Sequence, residues 1–190
     1  MVARHGRTAW NAAGRFQGMG DPPLDEVGEA QAAVLGAELA PLRPRWVASS
    51  DLQRAARTGE VVAAACGVDL RVDAGLREVD LGAWEGLTRT EVEARYPDEY
   101  RRWSAGEDVR RGGGETRAEA AARFVASLLA LAAPLHPGDT GVVVAHGIVI
   151  QAALDAMCAA GLLASPDLSA GAPHLGNGAW LALEIAAPVG

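Results

Sequence analysis

The sequence contains no lysine, and all 17 of its basic side chains are arginine. Any anion site must therefore be built from guanidinium forks, histidine and backbone amides, without an ammonium point charge. GC-rich codon usage produces the same absence and is the weightier explanation for it. Cysteine is scarce too. Cys66 and Cys158 are too few for a disulfide framework or a zinc site, and both lie in alanine-rich helical stretches. They read as two reduced core thiols in a cytoplasmic protein. Positive charge is in deficit: the formal net charge of −7 supplies no field for non-specific binding to nucleic acid or an anionic membrane. A local arginine cluster can still hold a small phosphorylated metabolite. No apolar run reaches membrane-spanning length, and the first residues lack the regions of a signal peptide.

What is present is an ordinary globular mixture, 49% hydrophobic and 22% charged over 190 residues. That length suits one domain, 1–190, with a sizeable core. "WVASS" (Trp46–Ser50), "DLRV" (Asp69–Val72), "GVVVAHG" (Gly141–Gly147) and "AWLALEI" (Ala179–Ile185) read as strands. The third is apolar throughout its run of valines, the pattern of a strand buried on both faces. Val27, Ala30, Val34 and Ala37 recur at helical spacing, as do Ala121, Phe124, Val125, Leu128 and Ala132. Ser50 with Gln53, and Thr116 with Glu119, make capping-box patterns. The alternation predicts an α/β fold, a three-layer α/β/α sandwich around a largely parallel central sheet. A polar, arginine-rich insertion of short helices and loops is expected at about 88–114.

Ligands of such sheets sit beyond the carboxyl ends of the strands. "RHG" at Arg4–Gly6, "SSDLQRAART" after Trp46–Ala48 and "HG" at His146–Gly147 fall there, and "LREVDLGAWEG" (Leu76–Gly86) follows the second of the shorter strands. Taken singly, each reads as a turn, a solvated cation or a loop charge. Together, Arg4, His5, Arg54, Glu78 and His146 map to one rim of one sheet.

The order "RHGRTAWN", "FQGMGDPPLDEVGEAQA", "SSDLQRAARTGE", "LREVDLGAWEGLT", "GGGET", "VAHG", "GNGAW" resembles the histidine phosphatase superfamily in its phosphoglycerate-mutase-like branch, over nearly the whole chain. The resemblance implies that His5 is a nucleophile and that Arg4, Arg54 and His146 bind the phosphoryl group. It makes Glu78 the proton donor, with Asn11 and the Gly147 amide adding hydrogen bonds. It implies no cofactor and no metal, and leaves a homodimer open. The chemistry wants these residue types. An unprotonated imidazole attacks phosphorus in line, with the Gly6 carbonyl a fitting acceptor for the other ring proton. Neighbouring guanidinium charges lower the pKa of His5, and arginine forks match phosphoryl oxygens bidentately. An alkoxide is a poor leaving group and needs an acid.

Other positions remain open at this level. Thr8, Gln17 and Gly18 belong to the loop after His5, where substrate contact and a structural role are about even. Asp80 is the rival proton donor, with motif position favouring Glu78. Arg57 is expected to cap or pair with Asp51. Trp84, Trp103 and Tyr100 are expected to pack the insertion onto the sheet rather than line a pocket. His136 and His174 have no metal-ligand spacing. Arg110 and Arg111 either meet a second charge on the substrate or lie in a solvated loop. Only Met1–Ala3 precede "RHG", which means a very short first strand or residues, even a domain, missing in front. The expected reaction is hydrolysis of a small phosphomonoester, because the compact insertion and the short tail "IAAPVG" favour access of water. A cofactor-dependent phosphoglycerate mutase is the alternative. Similarity to actinobacterial glucosyl-3-phosphoglycerate phosphatases makes a phosphoglycerate-containing substrate a specific guess, an α-ribazole phosphate another. A non-catalytic phospholigand binder has little need of both His5 and Glu78.

Overall fold

In the computed structural model, which describes residues 1–163 and 174–185, the chain forms one five-stranded sheet. Its strands are β1 (Val2–Arg4), β2 (Trp46–Ser49), β3 (Leu70–Val72), β4 (Gly141–Ala145) and β5 (Trp180–Leu181), in the order β3-β2-β4-β1-β5. β1, β2, β3 and β4 are mutually parallel, and β5 joins β1 antiparallel. The expected last strand, Ala179–Ile185, shrinks to two paired residues because Ala182 onward turns away, and Ile185 bridges to Leu163 instead. The tail beyond Ile185 lies outside the described residues.

β2 and β4 are buried along their whole lengths, as central strands covered on both faces must be. Alternate side chains serve opposite layers. Ala48, Val143 and Ala145 face Phe124, Leu128, Val149 and Leu154 of α6 (Arg117–Ala132) and α7 (Gly147–Ala159). Val47, Val142 and Val144 face Leu35, Leu39, Ala55 and Val62 of α2 (Glu26–Leu39) and α3 (Gln53–Cys66). Full burial of each such Leu, Val or Phe contributes about 1.5–3 kcal/mol. α1 (Ala9–Ala12) is a single turn after β1, while α4 (Arg89–Arg95) and α5 (Pro97–Ser104) form the insertion.

Several local expectations are corrected. α2 forms, but its buried face is Gly28, Ala32, Leu35, Gly36 and Leu39, while Val27 and Val34 are exposed. Small residues win this face because α3 packs close: a Cβ on Gly36 would stand 3.0 Å from the Ala65 Cβ. Ser50 does not make a capping box with Gln53. Its hydroxyl accepts from Leu52 N, and Asp21 caps α3 by accepting from Gln53 N at 2.7 Å. The Thr116–Glu119 box forms as expected. Arg57 pairs with Glu29 and Glu60 rather than Asp51, which Arg77 Nε holds at 2.7 Å. Cys66 and Cys158 are half-buried rather than core, and burial pushes the Cys66 thiol up. Trp84, fully buried, packs with Phe16 and Trp103, and Trp103 with Tyr100, which ties the insertion to the sheet edge.

Candidate active site

Parallel pairing in register sets Arg4 of β1 opposite Ala145 of β4. The next residues of the two strands, His5 and His146, are thereby neighbours across one strand spacing. Their ring centroids lie 5.1 Å apart. His5 N donates to Ala145 O at 3.0 Å, so the first histidine is fixed to the end of the second strand.

The imidazole of His5 is oriented by its own chain. Nδ1 lies 2.6 Å from Gly6 O, and since a carbonyl only accepts, the proton sits on Nδ1 and Nε2 keeps its lone pair. Gly6 is needed because a Cβ would stand 2.3 Å from Gly28 O. Its amide donates to Thr58 Oγ1 at 3.1 Å, and that hydroxyl donates to Arg54 O at 2.7 Å. Asn177 Nδ2 donates to His5 O at 3.1 Å and to Asn11 Oδ1 at 3.2 Å. Burial pushes the His5 pKa well below 6.5, reinforced by Arg54 and Arg4 and opposed by the Gly6 bond. The guanidinium charges lower it as expected, and burial, which the sequence did not show, contributes more. His146 moves the same way, by burial and then Arg54, and neither of its ring nitrogens has a hydrogen-bond partner among the described residues.

Two arginines flank the pair. Arg4 Nη1 donates to Leu175 O at 2.8 Å, and its guanidinium lies against Gly147, where a Cβ would be 3.2 Å from Arg4 Cζ. Arg54, fully buried at the start of α3, donates to Gly20 O at 2.7 Å and to Gly18 O at 2.8 Å. Gly18 turns the loop through φ +51, the left-handed region that favours glycine. Nε of both arginines is buried and has no hydrogen-bond partner among the described residues. The forks are thus partly committed to loop carbonyls, and the outstanding donors point to an anion that would satisfy them.

Glu78 stands on the segment after β3. Its Oε1 accepts from Val149 N at 2.8 Å and Val79 N at 2.9 Å, and Oε2 accepts from Ile148 N at 3.1 Å. The carboxyl therefore sits on the first turn of α7, beside the backbone of the second histidine loop. Asp80 is occupied elsewhere: its Oδ1 accepts from Gly82 N at 2.8 Å. A cavity of about 270 Å³ opens here, lined by Arg4, Asn11, Gln17, Gly18, Glu78 and Gly147, and also by Arg117 and His174. His5, Arg54 and His146 are enclosed, each at most 2% exposed. Thr8 is buried rather than pocket-lining, capping α1 and donating to Gln17 Oε1 at 2.8 Å.

Four contributors went unseen in the sequence. Thr58, Glu115 and Asn177 sit inside the quoted stretches "AARTGE", "GGGET" and "GNGAW" and could have been singled out there. Arg123 could not: it lies outside every quoted stretch, and its guanidinium reaches Glu115 Oε2 at 2.8 Å and Glu78 O at 3.2 Å. Of Arg110 and Arg111, the first is exposed and paired with Glu119, while the second is 2% exposed.

Comparison with known proteins shows what the chain as a whole is similar to. The chain is 34% identical over 191 residues to the glucosyl-3-phosphoglycerate phosphatase of Mycobacterium tuberculosis, spanning 97% of this chain and 84% of the relative. It is 38% identical over 153 residues to a probable phosphoglycerate mutase of Salmonella paratyphi C, spanning 78% and 69%. A solved mycobacterial glucosyl-3-phosphoglycerate phosphatase complexed with VO3 superposes with a TM-score of 0.77 at 35% identity, over 83% of this chain and 80% of that one. The family model of the histidine phosphatase superfamily (branch 1) matches residues 1–186, and the chain belongs to that superfamily.

Proposed function

We propose that the protein hydrolyses a small-molecule phosphomonoester in two steps through a phosphohistidine on His5. The observation that carries this reading is the state of His5: Nδ1 is tied to Gly6 O, the ring is held neutral by burial, and Nε2 is left as the nucleophile. Nε2 attacks phosphorus in line and forms a P–N bond as the ester P–O bond breaks. The unpartnered donors of Arg4, Arg54 and His146 take up the charge spreading over the phosphoryl oxygens. Glu78 gives its proton to the departing alkoxide. Oε2, which accepts from one amide only, is the oxygen free to hold that proton. In the second step Glu78, now a carboxylate, takes a proton from water as it attacks phosphorus and the P–N bond breaks. Phosphate leaves and the imidazole is restored.

A phosphoglycerate-type substrate is supported by the names of the relatives, a glucosyl-3-phosphoglycerate phosphatase and a probable phosphoglycerate mutase. The similarity to a probable mutase favours phosphoglycerate isomerisation as the second reading, in which the phosphohistidine returns its phosphoryl group to a second hydroxyl instead of to water. Incubation with 3-phosphoglycerate and a bisphosphorylated primer separates the two. Phosphate release exceeding isomer exchange, together with acid-labile phosphate trapped on wild-type protein and absent from a folded His5→Ala variant, is the expected result. Substantial turnover by folded His5→Ala would sink the nucleophile.

A further inference from the structure

The carbonyl that orients His5 is itself held from outside the cavity. Gly6 O meets Nδ1 of His5 at 2.6 Å, and that carbonyl belongs to the peptide unit joining Gly6 to Arg7. The other polar atom of the unit, Arg7 N, donates to Oε1 of Gln31 on α2 at 2.8 Å. A backbone N–H only donates, so the side-chain atom facing it is the amide oxygen. C=O and N–H of one trans peptide share a rigid plane and point in opposite directions. Whatever fixes the direction of Arg7 N–H therefore fixes the direction of Gly6 C=O.

The peptides on either side are anchored independently. In the preceding unit His5 O accepts from Asn177 Nδ2 at 3.1 Å and from Gly178 N at 3.2 Å, and Gly6 N donates to Thr58 Oγ1 at 3.1 Å. In the following unit Arg7 O accepts from Asp25 N at 3.0 Å. The middle unit can still turn about its two flanking bonds, Gly6 Cα–C and Arg7 N–Cα, and Gly6 has no Cβ to oppose this. Asn177 does little to stop it. Its Nδ2 carries two protons, and Gly6 O is the most distant of its three acceptors, at 3.4 Å against 3.1 Å and 3.2 Å.

The packing of α2 brings Gln31 to this point. Gly28 and Gln31 are three residues apart and share a helix face. Gly28 lets the loop backbone lie directly on the helix, since a Cβ there would stand 2.0 Å from Arg7 O. One turn further on, Gln31 meets Arg7 N.

The direction of this one peptide decides which ring nitrogen of His5 holds the proton. As it stands, Nδ1 faces a carbonyl and carries the proton, and Nε2 keeps its lone pair. With the peptide turned over, Nδ1 would face an N–H and would need the lone pair itself. The proton would then sit on Nε2, leaving no lone pair there for phosphorus.

We propose that Gln31 is a positioning residue for the nucleophile, locking the Gly6–Arg7 peptide in the orientation that selects the Nδ1–H tautomer of His5. This rests on the reading of His5 as nucleophile and extends it to a side chain that does not line the cavity.

The test reads the tautomer directly, by 15N NMR of the imidazoles, of which the chain has 4. Single-turnover phosphoenzyme formation from p-nitrophenyl phosphate is measured beside it. Gln31→Met keeps the length of the side chain without an acceptor. It should move His5 toward the Nε2–H form and slow phosphoenzyme formation by about 3- to 10-fold, the factor one ordinary hydrogen bond supplies. The half-saturating substrate concentration should stay as in wild type. Gln31→Glu keeps an acceptor and should retain the Nδ1–H form and most of the rate. Glu29→Gln, which breaks only the exposed pair with Arg57 on the same helix, should change neither. A wild-type tautomer in folded Gln31→Met overturns the proposal, as does Gln31→Glu losing the Nδ1–H form as fully as Gln31→Met. If Gln31→Met does not fold, hydrogen exchange of the wild-type Arg7 amide decides: protection like that of the β1 amides supports a fixed peptide, and free exchange overturns it. Failure to trap phosphate on His5 in wild type would instead remove the phosphatase reading, while the tautomer comparison, which needs no turnover, would still decide the role of Gln31.

Discussion

Arg123 holds Glu78 by its backbone, not its side chain: Nη2 donates to Glu78 O at 3.2 Å while also reaching Glu115 Oε2 at 2.8 Å. Nη1 donates to Gly75 O at 2.9 Å and to Arg77 O at 3.1 Å, and Glu115 Oε2 accepts from Asp80 N at 3.1 Å. One guanidinium on α6 therefore clamps the whole irregular segment that presents the proposed acid. A segment without ladder bonds needs such partners for its carbonyls.

Arg123→Met should therefore act on protonation of the leaving group. In single-turnover kinetics it should slow phosphoenzyme formation from an alkyl phosphate by about 10-fold or more, with a smaller loss for p-nitrophenyl phosphate, whose anion leaves without an acid. Glu115→Gln should show the same selectivity more weakly. Equal losses for both esters would reduce the clamp to a general contribution to folding.

Glu78 itself should show the larger form of that effect. Glu78→Gln keeps the side-chain shape but has no proton to give, so alkyl phosphates should slow by about 10²–10⁴-fold more than the aryl ester. Asp80→Asn should show no leaving-group dependence, because Asp80 Oδ1 is engaged with Gly82 N. Selectivity in Asp80→Asn and none in Glu78→Gln would exchange the two roles.

The two buried histidines tie stability to pH. Their folded pKa values lie well below 6.5, whereas in the unfolded chain they protonate as pH falls through about 6.5. Below that point the unfolded state binds more protons, so stability is complete above it and declines on acidification. The slope approaches about 1.4 kcal/mol per pH unit for each histidine. Denaturant unfolding of wild type and a His5→Gln/His146→Gln double variant between pH 5 and 8 measures the difference. A slope unchanged in the double variant would show that neither histidine is held neutral.

Much of this was legible along the chain. The apolar run Gly141–Ala145 announced a strand covered on both faces, and "RHG" and "AHG" at strand ends announced a site at one sheet rim, because both signals are local. The sequence by itself thus determined the layered α/β architecture and the chemical types gathered at one edge. It could not tell which face of α2 is buried, since Val27 and Val34 are the more apolar residues while closeness to Ala65 demands Gly36. Nor could it tell that Asp21 caps a helix starting 32 residues later. Tertiary structure alone decided that Arg110 is solvated while its neighbour Arg111 is buried, and that Glu78 rather than Asp80 lines the cavity. The physical reason is common to all of these. Hydrophobic periodicity and capping patterns act within a turn or two of chain, whereas burial of a charge and the partner of a polar atom depend on which distant backbone packs against it.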